Sequence, residues 1–228
     1  MRALFRPILA GATGSDRLVA CLGALIGIAL TVFVCMGAGL SLADAPAVAA
    51  PIGASAVLVF AVPASPLAQP WPVVGGNVLS ALVGVALVRL LGPTPLAAGL
   101  AVAGAIGVMS LARCLHPPGG AAALTAVIGG PAVTGAGWLF ALAPVGINAL
   151  LLAGIGWCFH RFSGHRYPHR AAAPQPQPAF LSEDLDRALA AEGEAFDIAR
   201  EDLERLLARV EAEAALRRAQ PAPSRRAP

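Results

Sequence analysis

The chain has 228 residues, 57% of them hydrophobic and 13% charged, with a formal net charge of +3. A soluble domain carries about 25% charged residues, whereas between Leu18 and Phe159 only Asp44, Arg89 and Arg113 are formally charged here. That distribution excludes a soluble globular core for most of the chain, and basic residues that merely flank apolar runs exclude a nucleic-acid patch. The expected class is all-α: a polytopic transmembrane helical bundle followed by a cytoplasmic amphipathic helical tail.

Residues 1–17, with Arg2, Arg6 and Arg17, read as a cytoplasmic N-terminus. The apolar run 18–43 is longer than the 7–15 residues of a signal-peptide core and reads as a retained first span. A spanning helix needs roughly twenty apolar residues, and 18–43, 73–91, 96–111 and 138–159 meet or approach that length. Two shorter segments, about 52–62 and 119–130, follow Pro/Gly breaks and read as re-entrant or broken helices inside a transmembrane region spanning 18–160. Broken backbone at membrane depth has to be buried in protein or face a wet cavity. Arg161, Arg166 and Arg170 follow the last span, so the positive-inside rule puts both termini in the cytoplasm. Six elements, two of them short, sort the Arg residues better than four; the expected location is a bacterial inner membrane.

Residues 161–181 are basic, then Pro-rich, with Pro174, Pro176 and Pro178 marking an extended linker. Residues 182–219 form the expected helical tail. Ser182 is a candidate N-cap, with Glu183 and Asp184 in the first turn. Leu203, Leu206, Leu207, Val210 and Ala214 recur at helical spacing and predict an amphipathic helix over about 196–216. Such a stripe needs a partner, a second copy of the chain being one. Residues 220–228 read as disordered.

A repeated pattern organises the membrane region. Pro51-Ile52-Gly53-Ala54-Ser55-Ala56 is echoed by Pro118-Gly119-Gly120-Ala121-Ala122-Ala123, and Val74-Gly75-Gly76-Asn77 by Val145-Gly146-Ile147-Asn148. The offsets, 67 and 71 residues, nearly agree, which predicts a duplicated unit of about seventy residues. Gly/Pro-interrupted apolar segments at matching places in two halves point to a transporter's binding site.

The most concentrated polar stretch inside the apolar region is Arg113-Cys114-Leu115-His116-Pro117-Pro118-Gly119-Gly120. Tandem prolines suit a first helical turn, and a helix N-terminus carries free N–H groups and partial positive charge that favour an anion. Two opposed helix N-termini are therefore expected to hold a small anion. Arg113, His116, Gly119 and Gly120 would form one side, Gly53 and Ser55 the other, with Asn77 and Asn148 nearby. At that end of a helix His116 is expected to be a neutral donor near pH 7; a proton-coupled mechanism would need it to titrate.

Plainer roles exist for each. Arg113 suits a topology anchor, His116 a cap, and Asn77 and Asn148 interhelical hydrogen bonds. Asp44 reads as a loop residue more readily than a proton carrier. Cys21, Cys35, Cys114 and Cys158 lack metal-site spacing and read as small buried apolar residues. No catalytic constellation, metal site or cofactor fingerprint is present in the sequence, so an enzyme is not expected. A non-transporting membrane scaffold that recruits a partner through the tail is the alternative to an anion transporter or channel. The expected partners are the lipid bilayer, a small anion and, through the tail, another copy.

The run from Arg113 to Ala121 resembles the signature of the HPP family of integral membrane proteins, named for its His-Pro-Pro. Pro51–Phe60, Ser65-Pro66-Leu67-Ala68-Gln69-Pro70, Val74–Asn77 and Tyr167-Pro168-His169 resemble further blocks of that family, in order over about residues 15–170. The resemblance implies a multi-span region of four helices and, for some members in photosynthetic lineages, nitrite transport. It would place His where this chain has Asn77, which leaves no titratable group there. Asp184–Leu189 and Ala199–Leu203 resemble a connector that precedes paired CBS domains in longer relatives; a form lacking them is expected, without adenine-nucleotide control in cis.

Overall fold

The computed structural model describes residues 14–37, 45–170, 180–193 and 195–219. They fall into two compact units divided between His169 and Arg170. The regular elements among the described residues of the first unit are all helical: α1 (Gly14–Gly37), α2 (Ala45–Ala61), α3 (Asn77–Leu91), α4 (Pro95–Leu111), α5 (Pro117–Ile128), α6 (Gly130–Ala136), α7 (Trp138–Phe140) and α8 (Ile147–His160). A 3-10 turn at Pro66–Ala68 follows α2, and π-helical segments at Pro72–Gly76 and Ala141–Gly146 lead directly into α3 and α8.

Three stretches, Gly14–Val34, Pro72–Leu91 and Trp138–His160, are long and apolar enough to cross a membrane. The pair α5–α6 is bent by 98° and counts as a fourth if taken as one broken span; α4 is a shorter apolar helix. The run 96–111, expected to meet or approach span length, is the 17-residue helix Pro95–Leu111. At 1.5 Å per residue that is about 26 Å, short of a hydrocarbon core of about 30 Å. Its start is fixed by Thr94, whose Oγ1 accepts the Ala97 N–H at 3.1 Å, with Pro95 at the first helical position. It ends before Arg113, a non-glycine residue at φ 53°.

The two halves of the repeat differ where they were expected to match. Tandem prolines behind an extended His116 (φ −143°, ψ 107°) do begin α5. In the first copy Pro51 lies inside α2, which starts upstream at Ala45. One proline removes a single ladder donor and a helix can run through it, whereas two in series after an extended residue cannot be helix interior. Gly53 and Ser55 are therefore in mid-helix and not at a helix N-terminus. The other echo is closer: Asn77 and Asn148 each sit where a π-helical segment gives way to α-helix, and both are buried.

Small residues let these helices approach closely. Gly84 on α3 faces the Ala123 carbonyl and Ala126 on α5, with no room for a Cβ. Gly23 and Gly27 on α1 lie against the Phe60 ring; a Cβ on Gly27 would stand 2.6 Å from it. The outer surface is apolar, Leu111 and Phe162 being almost fully exposed, as lipid-facing side chains are. Cys114 is buried as expected, but Cys21 and Cys158 lie on the exposed faces of α1 and α8, where a thiol is apolar enough for lipid contact.

The second unit holds α9 (Ser182–Glu192) and α10 (Arg200–Ala219). The cap of α9 is Leu181, one residue before the expected Ser182, and the Asp184 carboxylate accepts its N–H at 3.0 Å. A carboxylate in the first turn can satisfy that donor and also favours the helix dipole. Gly193 at φ 70° closes α9. The helix expected to be amphipathic over about 196–216 begins at Arg200 and runs to Ala219, and Arg200 pairs with Asp186 and donates to the Ser182 carbonyl at 3.1 Å. Leu206 and Val210, two of the five residues of the expected stripe, are more than half exposed. The expectations for most of residues 1–17, for 171–179 and 220–228, and for Asp44 lie outside the described residues.

Candidate functional site

Ser55, Asn77 and His116 meet in the bundle, brought together from α2, α3 and the turn before α5, and none exposes more than 2% of its surface. Asn77 Nδ2 donates to Ser55 Oγ at 3.1 Å and to the Val73 carbonyl at 2.8 Å, one turn back. Ser55 Oγ lies 2.8 Å from His116 Nε2 and 2.9 Å from the Pro51 carbonyl. His116 Nδ1 lies 2.8 Å from the Leu67 carbonyl. A carbonyl only accepts, so Nδ1 carries a hydrogen; in the neutral ring Nε2 is then an acceptor, and the Ser55 hydroxyl is its donor.

Both Asn77 hydrogens are committed, and its Oδ1 has no partner. Ser80 Oγ, one turn further along α3 and fully buried, also has none. An unpartnered buried polar group costs roughly 1–3 kcal/mol, so two on one helix face are an expense that packing alone does not require. Both glycine positions beside them are contact points. A Cβ on Gly76 would come within 2.5 Å of His116 Cβ, and one on Gly119 within 2.7 Å of Ser80 Oγ and 2.8 Å of the Gly76 carbonyl. These glycines seat the His-Pro-Pro turn directly on α3.

The remaining candidates are placed differently. Arg113 is exposed on the turn between α4 and α5. The first turn of α5 offers few donors: Pro117 and Pro118 have no N–H, and that of Gly119 is taken by the His116 carbonyl at 2.8 Å. Gly120 and Gly53 are half-buried with open space around them, a Cβ on Gly120 reaching no closer than 3.8 Å to Val102. Asn148 is buried on α8.

Residues that sequence reasoning did not single out complete the site. The Leu67 carbonyl aims the His116 ring. Gln69 holds the loop around it, donating to the Pro63 and Ser65 carbonyls at 3.0 and 2.7 Å and accepting the His169 N–H at 2.8 Å. Trp71 Nε1 donates to the Ala112 carbonyl at 3.1 Å. The dense turn chemistry of Ser65–Pro70 was the available signal.

A second polar group lies at the C-terminal end of α8. His160 Nε2 donates to the Val59 carbonyl at 2.9 Å, and its Nδ1 lies 2.8 Å from Ser163 Oγ. His165, beyond Ser163, is 3.6 Å from Asp16 at the start of α1. The Tyr167 ring packs against His160. Burial pushes the Tyr167 phenol well above its ordinary range. These contacts tie the start of α1 and the end of α2 to the end of α8.

Residues 10–168 match the HPP transmembrane-region family. The match covers more than half of the sequence, and the chain belongs to that family. It is 41% identical over 120 residues to a transmembrane protein of Dictyostelium discoideum, an alignment covering 50% of this chain and 42% of that one. A second transmembrane protein of the same organism is 51% identical over 79 residues, covering 33% of this chain and 25% of its own. The chain thus spans less than half the length of these relatives. No solved structure matches it. The protein is accordingly a multi-pass membrane protein of the HPP family, embedded in a lipid bilayer.

Proposed function

We propose that the protein is a transporter or channel for a small anion, nitrite being the candidate that the family resemblance supplies. The observation that carries this reading is the buried cluster of Ser55, Asn77 and His116, with unpartnered polar atoms on Asn77 and Ser80, inside an otherwise apolar bundle. Polar residues within a membrane are costly and mark solute pathways. Composition supports an anionic solute: residues 45–170 contain no Asp or Glu, but five Arg. An anion meets Arg113 on the turn that leads to His116. The reading assigns the protein no catalytic step, and places it in a bacterial inner membrane with both termini cytoplasmic, as the flanking Arg residues imply.

The test is flux in proteoliposomes across nitrite, nitrate, chloride and formate, against protein-free vesicles. Arg113→Ala should weaken the transported anion's binding by about 1.5–3 kcal/mol, the range for a hydrogen bond to a charged group. Unchanged uptake in well-folded Arg113→Ala protein would remove Arg113 from the pathway, and no uptake of any anion by the wild type would end the transport reading. The second reading, a scaffold that recruits a partner or a second copy through its tail, is favoured by one observation: the exposed Leu206, Val210 and Leu216 of α10.

A further inference from the structure

We propose that the His116–Ser55 pair is a proton-binding site inside the bundle, and that the solute crosses together with a proton held there. The coupling half rests on the transport reading above; the proton site does not.

Ser55 Oγ has three neighbours within hydrogen-bond distance: the amide of Asn77, which donates; the Pro51 carbonyl, which accepts; and His116 Nε2, whose role depends on the ring. With the ring neutral, the hydroxyl donates to Nε2. With the ring protonated, Nε2–H donates to Ser55 Oγ and the hydroxyl turns to the Pro51 carbonyl, 2.9 Å away. In both states Nδ1–H stays on the Leu67 carbonyl and Asn77 stays on Ser55. The ring therefore gains or loses a proton with a single hydroxyl rotation and no movement of heavy atoms. The second acceptor is the carbonyl one turn back on α2, the ordinary partner of a helical serine hydroxyl, and here it leaves the network intact in both states of the ring.

The surroundings leave this proton as the local titration. From α2 the ring faces Ser55; from α3, Gly76 and Asn77; from the 3-10 turn, the Leu67 carbonyl. None of these ionises. On its own turn the ionisable side chains are Cys114, which is buried, and Arg113, which is exposed. With no carboxylate on the ring's hydrogen bonds, an imidazolium here gains most from an anion arriving beside it, which couples the two binding events. The unpartnered Asn77 Oδ1 fits the same scheme. It can only accept, so the ligand that satisfies it brings a hydrogen, as a weak acid or the water accompanying an anion does, while the Ser80 hydroxyl can donate to the ligand's oxygen.

In each cycle the proton comes from hydronium or from the protonated acid on the loading side. An N–H bond forms at Nε2 and breaks again on the unloading side, so no group is oxidised or reduced. His116, Ser55 and Asn77 are all closed to solvent in this conformation, and exchange belongs to conformations open to one face.

Two measurements on the full chain decide the matter. In lipid nanodiscs, 15N-histidine NMR, with the His116 signal identified by its loss in His116→Gln, should show Nε2 passing from acceptor to donor between pH 4 and 8. Ser55→Ala should move that midpoint by at least half a pH unit. A His116 signal unchanged over this range in folded protein overturns the proton site. In proteoliposomes carrying a lumenal pH dye, nitrite uptake should acidify the lumen beyond the leak of protein-free vesicles, and His116→Gln should abolish the acidification. Nitrite uptake that is independent of the pH gradient overturns the coupling and leaves the transport reading standing. Absence of uptake by the wild type overturns transport and coupling together, and the NMR titration then decides the proton site alone.

Discussion

Adjacent glycines in the His-Pro-Pro-Gly-Gly turn should respond to the same substitution in opposite ways. An alanine methyl at Gly119 would lie 2.7 Å from Ser80 Oγ, 2.8 Å from Met109 Sδ and 2.8 Å from the Gly76 carbonyl. The hydroxyl can rotate and the thioether can bend, but the carbonyl belongs to the π-helical segment that leads into α3 and cannot move alone. Overpacking of this kind costs about 1–3 kcal/mol. At Gly120 the nearest atom to the methyl is 3.8 Å away. Substitution there meets nothing and gains helix propensity, up to about 1 kcal/mol. The propensity gain is common to both positions in α5, so Gly119→Ala should be less stable than Gly120→Ala by the overpacking cost, about 1–3 kcal/mol. Thermal unfolding of the two variants in one detergent, followed by circular dichroism, measures the difference. Equal stability, or a less stable Gly120→Ala, would refute the close contact of the turn with α3.

Three further outcomes are expected. The Arg200 guanidinium, hydrogen-bonded to Asp186, holds that carboxyl below its ordinary value. A depressed carboxylate supports the fold above its unfolded pKa and loses that support as pH falls through the folded one. Amide protection factors in residues 182–192, taken against the unstructured rate at each pH, should therefore fall as the pH drops below the usual carboxylate range, and Asp186→Asn should remove the fall; protection factors independent of pH would contradict the pairing. Deleting residues 181–228 should leave the membrane unit folded but change its size on native electrophoresis, because the α10 stripe is exposed in the single chain; an unchanged size with no partner lost would count against that stripe as an interface. A cysteine at residue 172, on a background without the native cysteines, should be labelled only from the cytoplasmic face, and labelling from the other face alone would reverse the topology.

Much of the membrane architecture was legible because lipid leaves few choices. Long uncharged runs must be helical to satisfy their own backbone, so the spans at 14–34, 72–91 and 138–160 follow from hydropathy. A local signal also reported faithfully at Pro117-Pro118, where missing donors act within one turn. The stretch 96–111 was legible to within one residue, its helix running Pro95–Leu111, although hydropathy does not report what ends it. Leu111 is apolar, yet the chain turns two residues later at Arg113.

The candidate site was legible in part. His116, Ser55 and Asn77 were all readable as polar residues in an apolar region. What they do was not, since it depends on partners 61, 49 and 22 residues distant: Ser55 for His116, the Leu67 carbonyl for the same ring, and Ser55 for Asn77. The sequence by itself determined the class of protein, its family and the residues that could carry chemistry, because composition and short motifs act locally. Tertiary structure alone decided that Pro51 stays inside a helix, that Gly76 and Gly119 hold a turn against α3, that Arg113 faces outward, and that one hydroxyl stands between a carbonyl and an imidazole. Those are distances between separate helices, set by how small residues let them close on one another, and no local pattern records them.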